Sequence, residues 1–360
     1  MELNLIIPAG GKSSRYNHGK PKWLRTHPDG DLMIEHAVSA LTSKNEKLNI
    51  YIITNNEIEN KYNVKTFLKN TKLKNLEIIL LENETNSSVE TIYRGIRDNY
   101  KKFNFKIPTI IKDSDNFVKM PANIELDKYN FTVGVNLNDF DIAKINNKSF
   151  LVTNDLDDVI DFVEKRVVSD KISVGTHCFK DFNLFIEKAE TFLESRINLE
   201  LYNSHVIASL IYDGQRFKYI EAENFIDFGT QKEWNEIFKN HTTYLVDFDG
   251  TLVINKGKHG ENNWGNLKDE VILSNVNIFK ELKNKGAKII ITTSRSEIYK
   301  KYIFDFLKSN SLEVDDVICG LNHSPRVIVN DFANTNPYPS CNAISIPRNG
   351  NIEDYFQYDF

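Results

Sequence analysis

Residues 3–24, LNLIIPAGGKSSRYNHGKPKWL, run from an apolar segment directly into a stretch of small and basic residues. LNLIIP has the length and composition of a buried strand. The glycine pair that follows would let backbone N–H groups approach phosphate oxygens, with Arg15 and Lys22 supplying positive charge for a triphosphate. Ala9, Gly10, Gly11, Lys12 and Ser13 are therefore a candidate nucleotide cradle. An ordinary glycine-rich turn is the plain alternative, and the run Lys20-Pro21-Lys22 beside Arg15 weighs against it.

Outward from this stretch the same rhythm continues. Apolar runs LNIYIIT, LEIILL and PTIIKD alternate with amphipathic stretches near 32–43, 56–69 and 88–99. Such alternation predicts βαβ units stacked into a mostly parallel sheet. After Asp113 the pattern loosens into strands near 131–137, 159–165, 173–180 and 216–221, with helices near 181–194, 204–212 and 231–239. A second series starts abruptly with TYLVDFDGTL (243–252) and continues through a helix near 271–285, AKIIITT, a helix near 296–309, VDDVIC and RVIVND. The expected fold class is α/β with two domains, 1–240 and 243–360, each a mostly parallel sheet flanked by helices and joined by a short polar hinge at 239–242. The length of 360 residues agrees, because a single core seldom grows beyond about 250–300 residues.

Composition narrows the partners. The net charge of -5 arises from acids and bases mixed along the chain, without the basic stripe that nucleic acid requires. No stretch approaches the roughly 20 apolar residues of a membrane helix, and no leader is evident, so no membrane partner and a cytoplasmic location are expected. Cys178, Cys319 and Cys341 are odd in number and widely spaced, which predicts reduced thiols.

Carboxylates stand where apolar runs end. Asp113 and Asp115 follow PTIIK, and Asp227 lies in FIDFGT. Magnesium takes hard oxygen ligands, commonly one or two carboxylates beside substrate phosphates, so Asp113 or Asp115 could supply it; a helix cap or turn is the bland reading. In the polar stretch 82–91, Ser87 or Ser88 could read a base edge or simply cap a helix.

At these residues the chain resembles the sugar-phosphate nucleotidyltransferase family over 1–238. The family's opening loop, A-G-x-G-x-R followed by P-K, is matched by Ala9, Gly10, Gly11, Arg15, Pro21 and Lys22, with Lys12-Ser13-Ser14 in place of smaller residues. The resemblance implies a Rossmann-like fold in which Arg15 grips the triphosphate, Lys22 stabilises the α-phosphate, and Asp227 joins Asp113 or Asp115 as a Mg2+ ligand. It also assigns Ser88 to the nucleotide and Glu164 and Lys165 to the acceptor sugar phosphate. The partners implied are a nucleoside triphosphate, CTP by likeness to such enzymes with fused accessory domains, and a sugar or polyol phosphate. A homo-oligomer is left open.

The second series opens with its own chemistry. In YLVDFDGTL, Asp247 can attack phosphorus while Asp249, two residues on, protonates the leaving group and then activates water. This D-x-D-G-T resembles the haloacid dehalogenase superfamily over 243–360, which implies a small Rossmannoid phosphatase-like domain. Thr293 and Arg326 would then contact phosphate, and Asp247, Asp249 and Asp331 would surround a second magnesium. Arg326 stands where a lysine is usual, and Asn330-Asp331 where a second acid is common. Neither intervening stretch is long enough for a cap domain, so an open site is expected. Together the two halves imply a bifunctional enzyme of surface or capsular polysaccharide precursor synthesis. The alternatives are a nucleotide- and phosphosugar-binding sensor without turnover, or an active transferase with a purely structural C-terminal domain.

Overall fold

A computed structural model describes residues 2–11, 20–42, 47–139, 145–195, 200–256, 269–331 and 341–355. The chain divides into two compact units, Met1–Glu233 and Trp234–Phe360.

The first unit is built on a nine-stranded sheet of order β3-β2-β1-β4-β9-β6-β10-β8-β7. Strands β1 (Glu2–Pro8), β2 (Lys47–Asn55), β3 (Leu76–Leu81) and β4 (Thr109–Lys112) are parallel, as the opening rhythm predicts. Helices α1 (Met33–Thr42) and α4 (Ser88–Asp98) lie between them in sequence. The segment 56–69, expected as one helix, is two, α2 (Asn56–Tyr62) and α3 (Val64–Lys69), broken at Asn63, whose φ of 51° no helix accommodates. Along β1, Leu3, Leu5 and Ile7 enter one core with Ile34 and Val38 of α1, while Ile6 enters another with Val89, Ile92 and Ile96 of α4. Both faces of the strand are covered, which is why its apolar residues run continuously instead of alternating.

Beyond β4 the expected mostly parallel sheet gives way to a mixed one. Strand β9 (Lys171–Phe179) runs antiparallel to both β4 and β6 (Asn130–Asn136). Strands β7 (Ser149–Thr153) and β8 (Asp158–Glu164) form an antiparallel pair, and β10 (Phe217–Glu221) lies parallel to β6 but antiparallel to β8. The reason is connection length: the four residues between β7 and β8 can close a hairpin but not a parallel crossover. Helices α5 (Asn183–Glu194) and α6 (Asn203–Tyr212) cover this half. Outside the main sheet, β5 (Asn116–Lys119) pairs antiparallel with β11 (Asn224–Asp227), setting Asn116 opposite Asp227.

Helix α7 (Gln231–Asn240) carries the chain across the division at Glu233/Trp234, a few residues before the polar hinge expected at 239–242. The second unit contains a parallel sheet of order β12-β13-β14, formed by Thr243–Asp247, Lys288–Thr292 and Asp316–Ile318. Helices α8 (Leu273–Asn284) and α9 (Lys300–Ser309) pack on it through Val276, Phe279, Ile303 and Leu307. Buried Asn275 donates to Thr251 O (2.7 Å) and Gly350 O (3.0 Å) and accepts from Ile352 N (2.9 Å), tying residues 349–352 to the loop after β12. The expected strand RVIVND does not form: residues 321–331 carry no strand, and Val327 and Val329 are 82% and 93% exposed. An apolar run becomes a strand only where an edge pairs with it, and here β12 keeps one unpaired edge among the described residues. Within those residues no helix is long and apolar enough to cross a membrane.

Candidate active sites

A cavity of about 560 Å³ opens in the first unit where the ends of β1 and β4 meet the mixed half of the sheet. Ala9, Gly10 and Gly11 form part of its lining. The carbonyl of Ala9 accepts from Thr54 Oγ1 (3.1 Å) and Trp23 Nε1 (3.2 Å), and Asn55 Nδ2 donates to Gly10 O at 3.4 Å. Tying these oxygens back removes the groups that would repel a phosphate. Lys12, Ser13 and Arg15 lie outside the described residues. Ser87 caps α4, its Oγ accepting from Glu90 N at 3.1 Å. Ser88 lines the cavity at the positive end of that helix, so of the two serines it is Ser87 that performs the capping.

Three aspartates and two lysines share the cavity lining. Lys22 Nζ donates to Asp115, and Lys148 Nζ donates to Asp227. The β5–β11 pairing brings Asp115 and Asp227 together across 111 intervening positions, and Phe228 N donates to Asp115 O at 2.8 Å. Both carboxylates come within 3.3 Å of the point a Cβ on Gly229 would occupy. Two converging hard-oxygen donors, each now neutralised by an ammonium, fit a divalent cation of the magnesium type. Asp113 also lines the cavity and packs against Gly175, where φ is +66° and an added Cβ would lie 1.9 Å from Asp113 Oδ2. Burial, then the charge of Asp115, pushes the Asp113 carboxyl up to about 7. At Asp115 burial acts in the same sense, but Lys22 outweighs it and holds that carboxyl below its ordinary value. Of the two candidates, geometry therefore joins Asp115 to Asp227.

Beneath this group lies Lys112, fully buried, a residue that sequence reading passed over as the end of a strand. Its Nζ donates to Asp113 O (3.0 Å), Asn116 O (2.9 Å) and Asn116 Oδ1, so it holds the Asp113–Asn116 turn in shape. Burial lowers its pKa to about 8, with Asp113 and Asp115 opposing. Lys112→Met is expected to cost about 3 kcal/mol or more, since buried acceptors lose their donor. Urea denaturation would show it as a lower midpoint with an unchanged slope.

Glu164 also lines the cavity and accepts from Ser149 Oγ (2.6 Å) and Ser204 Oγ (2.7 Å). Lys165 does not line it. With φ at +55°, its side chain turns over the Tyr202 ring at 4.4 Å and bonds the Tyr202 hydroxyl. Glu164 thus lines the cavity directly, whereas Lys165 reaches it only through Tyr202, itself a lining residue. Lys148 and Ser204 were missed in the sequence: both sit in polar surroundings with no motif, and only strand pairing and α6 carry them to the site.

His177, fully buried on β9, also reaches the cavity lining and shares a 2.6 Å hydrogen bond with Thr132 Oγ1. Burial, then the charge of Lys112, lowers its pKa to about 3 from the ordinary 6.5. Between these values the unfolded chain binds a proton that the folded chain refuses, so stability falls as pH drops from about 6.5 toward 3. Asp113 acts in the opposite sense, because the folded state holds its proton. His177→Gln is therefore expected to remove up to about 1.4 kcal/mol per pH unit of acid sensitivity, read as the difference in slope between the two proteins' denaturation midpoints at pH 4–6.5.

In the second unit, four expected residues gather at the ends of β12 and β13. Thr293 Oγ1 donates to Asp249 Oδ2 (3.3 Å), and Arg326 Nη2 donates to Asp247 Oδ1 (3.1 Å). Burial pushes the Asp247 carboxyl up, with Arg326 opposing. Asp331 is exposed within the strandless stretch 321–331. Unforeseen was Arg295, two residues beyond Thr293 and only 2% exposed. Its guanidinium forks onto both oxygens of Asp249 (Nη2–Oδ1 2.6 Å, Nε–Oδ2 3.0 Å) and onto Asp269 (2.7 and 3.0 Å). Tyr302 Oη adds a donor to Asp269 at 3.0 Å. The residue stands in IIITTSR, but its partner Asp269 lies in a stretch without pattern.

No family model matches the chain, and no curated protein matches it. Solved structures do. The nucleoside-diphosphate-sugar pyrophosphorylase from Vibrio cholerae RC9 aligns with a TM-score of 0.56 at 20% identity, covering 65% of this chain and 98% of its own. A putative glucose-1-phosphate thymidylyltransferase from Bacillus anthracis, in complex with a sucrose, aligns with a TM-score of 0.52 at 17% identity, covering 65% and 93%. The N-terminal part of this chain therefore shares its fold with nucleotidyltransferases.

Proposed function

We propose that the first unit transfers a nucleotidyl group from a nucleoside triphosphate to a sugar or polyol phosphate, releasing pyrophosphate. The convergence of Lys22, Asp115, Asp227 and Lys148 on one cavity carries this reading. At about 560 Å³ the cavity is of ligand-binding size. A phosphate oxygen of the acceptor attacks the α-phosphorus in line, and the bond to the pyrophosphate oxygen breaks. The nucleophile is already anionic, so no strong base is needed; positioning and neutralisation of charge do the work. Lys22 neutralises the α-phosphate, the Ala9–Gly11 turn and Ser88 hold the nucleotide, and Glu164 holds the acceptor. Asp115 and Asp227 would hold Mg2+, which supplies further charge neutralisation on the triphosphate when bound. CTP as donor rests on the sequence resemblance, as does a role in surface polysaccharide precursor synthesis in the cytoplasm. Pyrophosphate release with each of the four triphosphates and a panel of sugar and polyol phosphates tests the reading; silence across the panel would leave a binding sensor.

For the second unit we infer a phosphomonoester hydrolase, favoured by Asp247, Asp249, Thr293 and Arg326 meeting at the strand ends. Asp247 would attack phosphorus, the leaving oxygen would take its proton from Asp249, and water would then release phosphate from Asp247. The Arg295 fork occupies both Asp249 oxygens, so proton delivery requires that fork to loosen. Phosphate release that disappears in Asp247→Asn supports the hydrolase. No release from any phosphomonoester supports a purely structural or docking unit.

A further inference from the structure

Between Lys22 and α1 the chain makes a turn that carries a second cluster of side chains, none of which lines the cavity. His27 is buried, Asp29 sits at the surface, and His36 is half-buried on the first turns of α1. His27 Nδ1 lies 2.9 Å from Asp29 Oδ1, and His36 Nε2 lies 3.0 Å from Asp29 Oδ2. The two imidazole centroids are 3.9 Å apart, and one donor atom from each of the three residues lies within 4.8 Å of the others.

The backbone that presents them is fixed by its own bonds. His27 N donates to Asp31 O (2.7 Å), Gly30 N to His27 O (2.9 Å), and Met33 N to Arg25 O (2.8 Å). Leu32 N is held by Glu35 Oε2 at 2.8 Å. The Asp29 carboxylate is set between the two imidazoles, one oxygen toward each.

We propose that His27, Asp29 and His36 form a binding site for a divalent transition-metal ion, with Zn2+ as the occupant. Two imidazole nitrogens and one carboxylate oxygen match the preferences of zinc, whereas magnesium favours an all-oxygen shell. Tetrahedral zinc separates neighbouring ligand atoms by about 3.4 Å, close to the two His–Asp contacts and inside the 4.8 Å that spans all three donor atoms, with a water as fourth ligand. Asp29, its side chain 46% exposed, opens the site to solvent. The role is structural. Phe228, between Asp227 and Gly229 of the cavity lining, has its ring 6.5 Å from both imidazoles. Zinc there clamps the His27–Asp31 turn to α1 behind that strand end, independently of what the cavity does.

The test uses the whole purified chain, stripped with chelator and returned to buffer with excess Mg2+. Equilibrium dialysis with metal analysis should find one Zn2+ bound at about 10 µM or tighter, and zinc should raise the melting temperature by several degrees. Cobalt(II), as a spectroscopic stand-in, should give a visible absorption band of tetrahedral intensity. His36→Gln and His27→Gln should each lose the bound zinc, the band and the melting shift; His36→Gln, altering a half-buried side chain, keeps the test valid should His27→Gln unfold. Absence of zinc binding in the unaltered chain, or equal zinc binding by His36→Gln, overturns the proposal; in the latter case the ion sits elsewhere, such as at exposed Cys341.

Discussion

Lys22→Met is expected to slow pyrophosphate release by about 10²–10³-fold at saturating substrates, the usual loss when one electrostatic donor to a reacting phosphate is removed. The side chain is 24% exposed and bonded to Asp115, so it is already positioned in the cavity before any substrate arrives. A triphosphate brings negative charge, and of the two lysines that line the cavity Lys22 is the nearer in sequence to the Ala9–Gly11 turn. The loss should fall mainly on kcat, because charge on the α-phosphate grows in the transition state, with a smaller rise in KM for the triphosphate. The same change strips Asp115 of its ammonium partner, so the variant should be less stable at neutral pH and recover part of that stability when millimolar Mg2+ is added. Steady-state kinetics with thermal melts in and out of Mg2+ check both effects. A kcat loss under about tenfold would remove Lys22 from the proposed role.

Arg295→Met is expected to destabilise the second unit by about 3–5 kcal/mol, because it strips the counter-charge from two carboxylates whose side chains are only 22% and 11% exposed. The guanidinium also lies 4.7 Å from the Phe248 ring centroid, a contact that methionine replaces only in part. In calorimetry of the whole chain, the transition of the second unit should fall by at least about 10 °C while that of the first stays in place. Arg295→Lys should recover little, since an ammonium cannot fork onto two carboxylates at once. If Asp269→Asn in the Arg295→Met background restores much of the loss, buried unpaired charge is the cause; if it restores none, packing against Phe248 is.

These residues mark how far the chain could be read without its fold. Much that is written locally was legible: LNLIIP as a buried strand, the parallel opening strands, and the Asp247–Asp249 pair at the end of β12. Each depends on apolar spacing or on residues a few positions apart, and such patterns set backbone conformation before distant segments meet. The choice of Asp115 over Asp113 was not local, because it follows from β5 pairing with β11, more than 100 residues on. Nor were Lys148 and Arg295 legible, since a lone lysine or arginine reads as solvated until its carboxylate partner is placed.

The sequence by itself determined the α/β class, the carboxylates at strand ends in both halves and, among the described residues, the absence of a long apolar helix. Only the tertiary structure decided that the first sheet is mixed, that Glu164 and Lys165 part company, that RVIVND stays unpaired, and that His27, Asp29 and His36 meet. The physical reason is that periodicity records which face of a segment is buried, whereas register, edge pairing and counter-charges are settled by segments far apart in the chain that compete for the same surface.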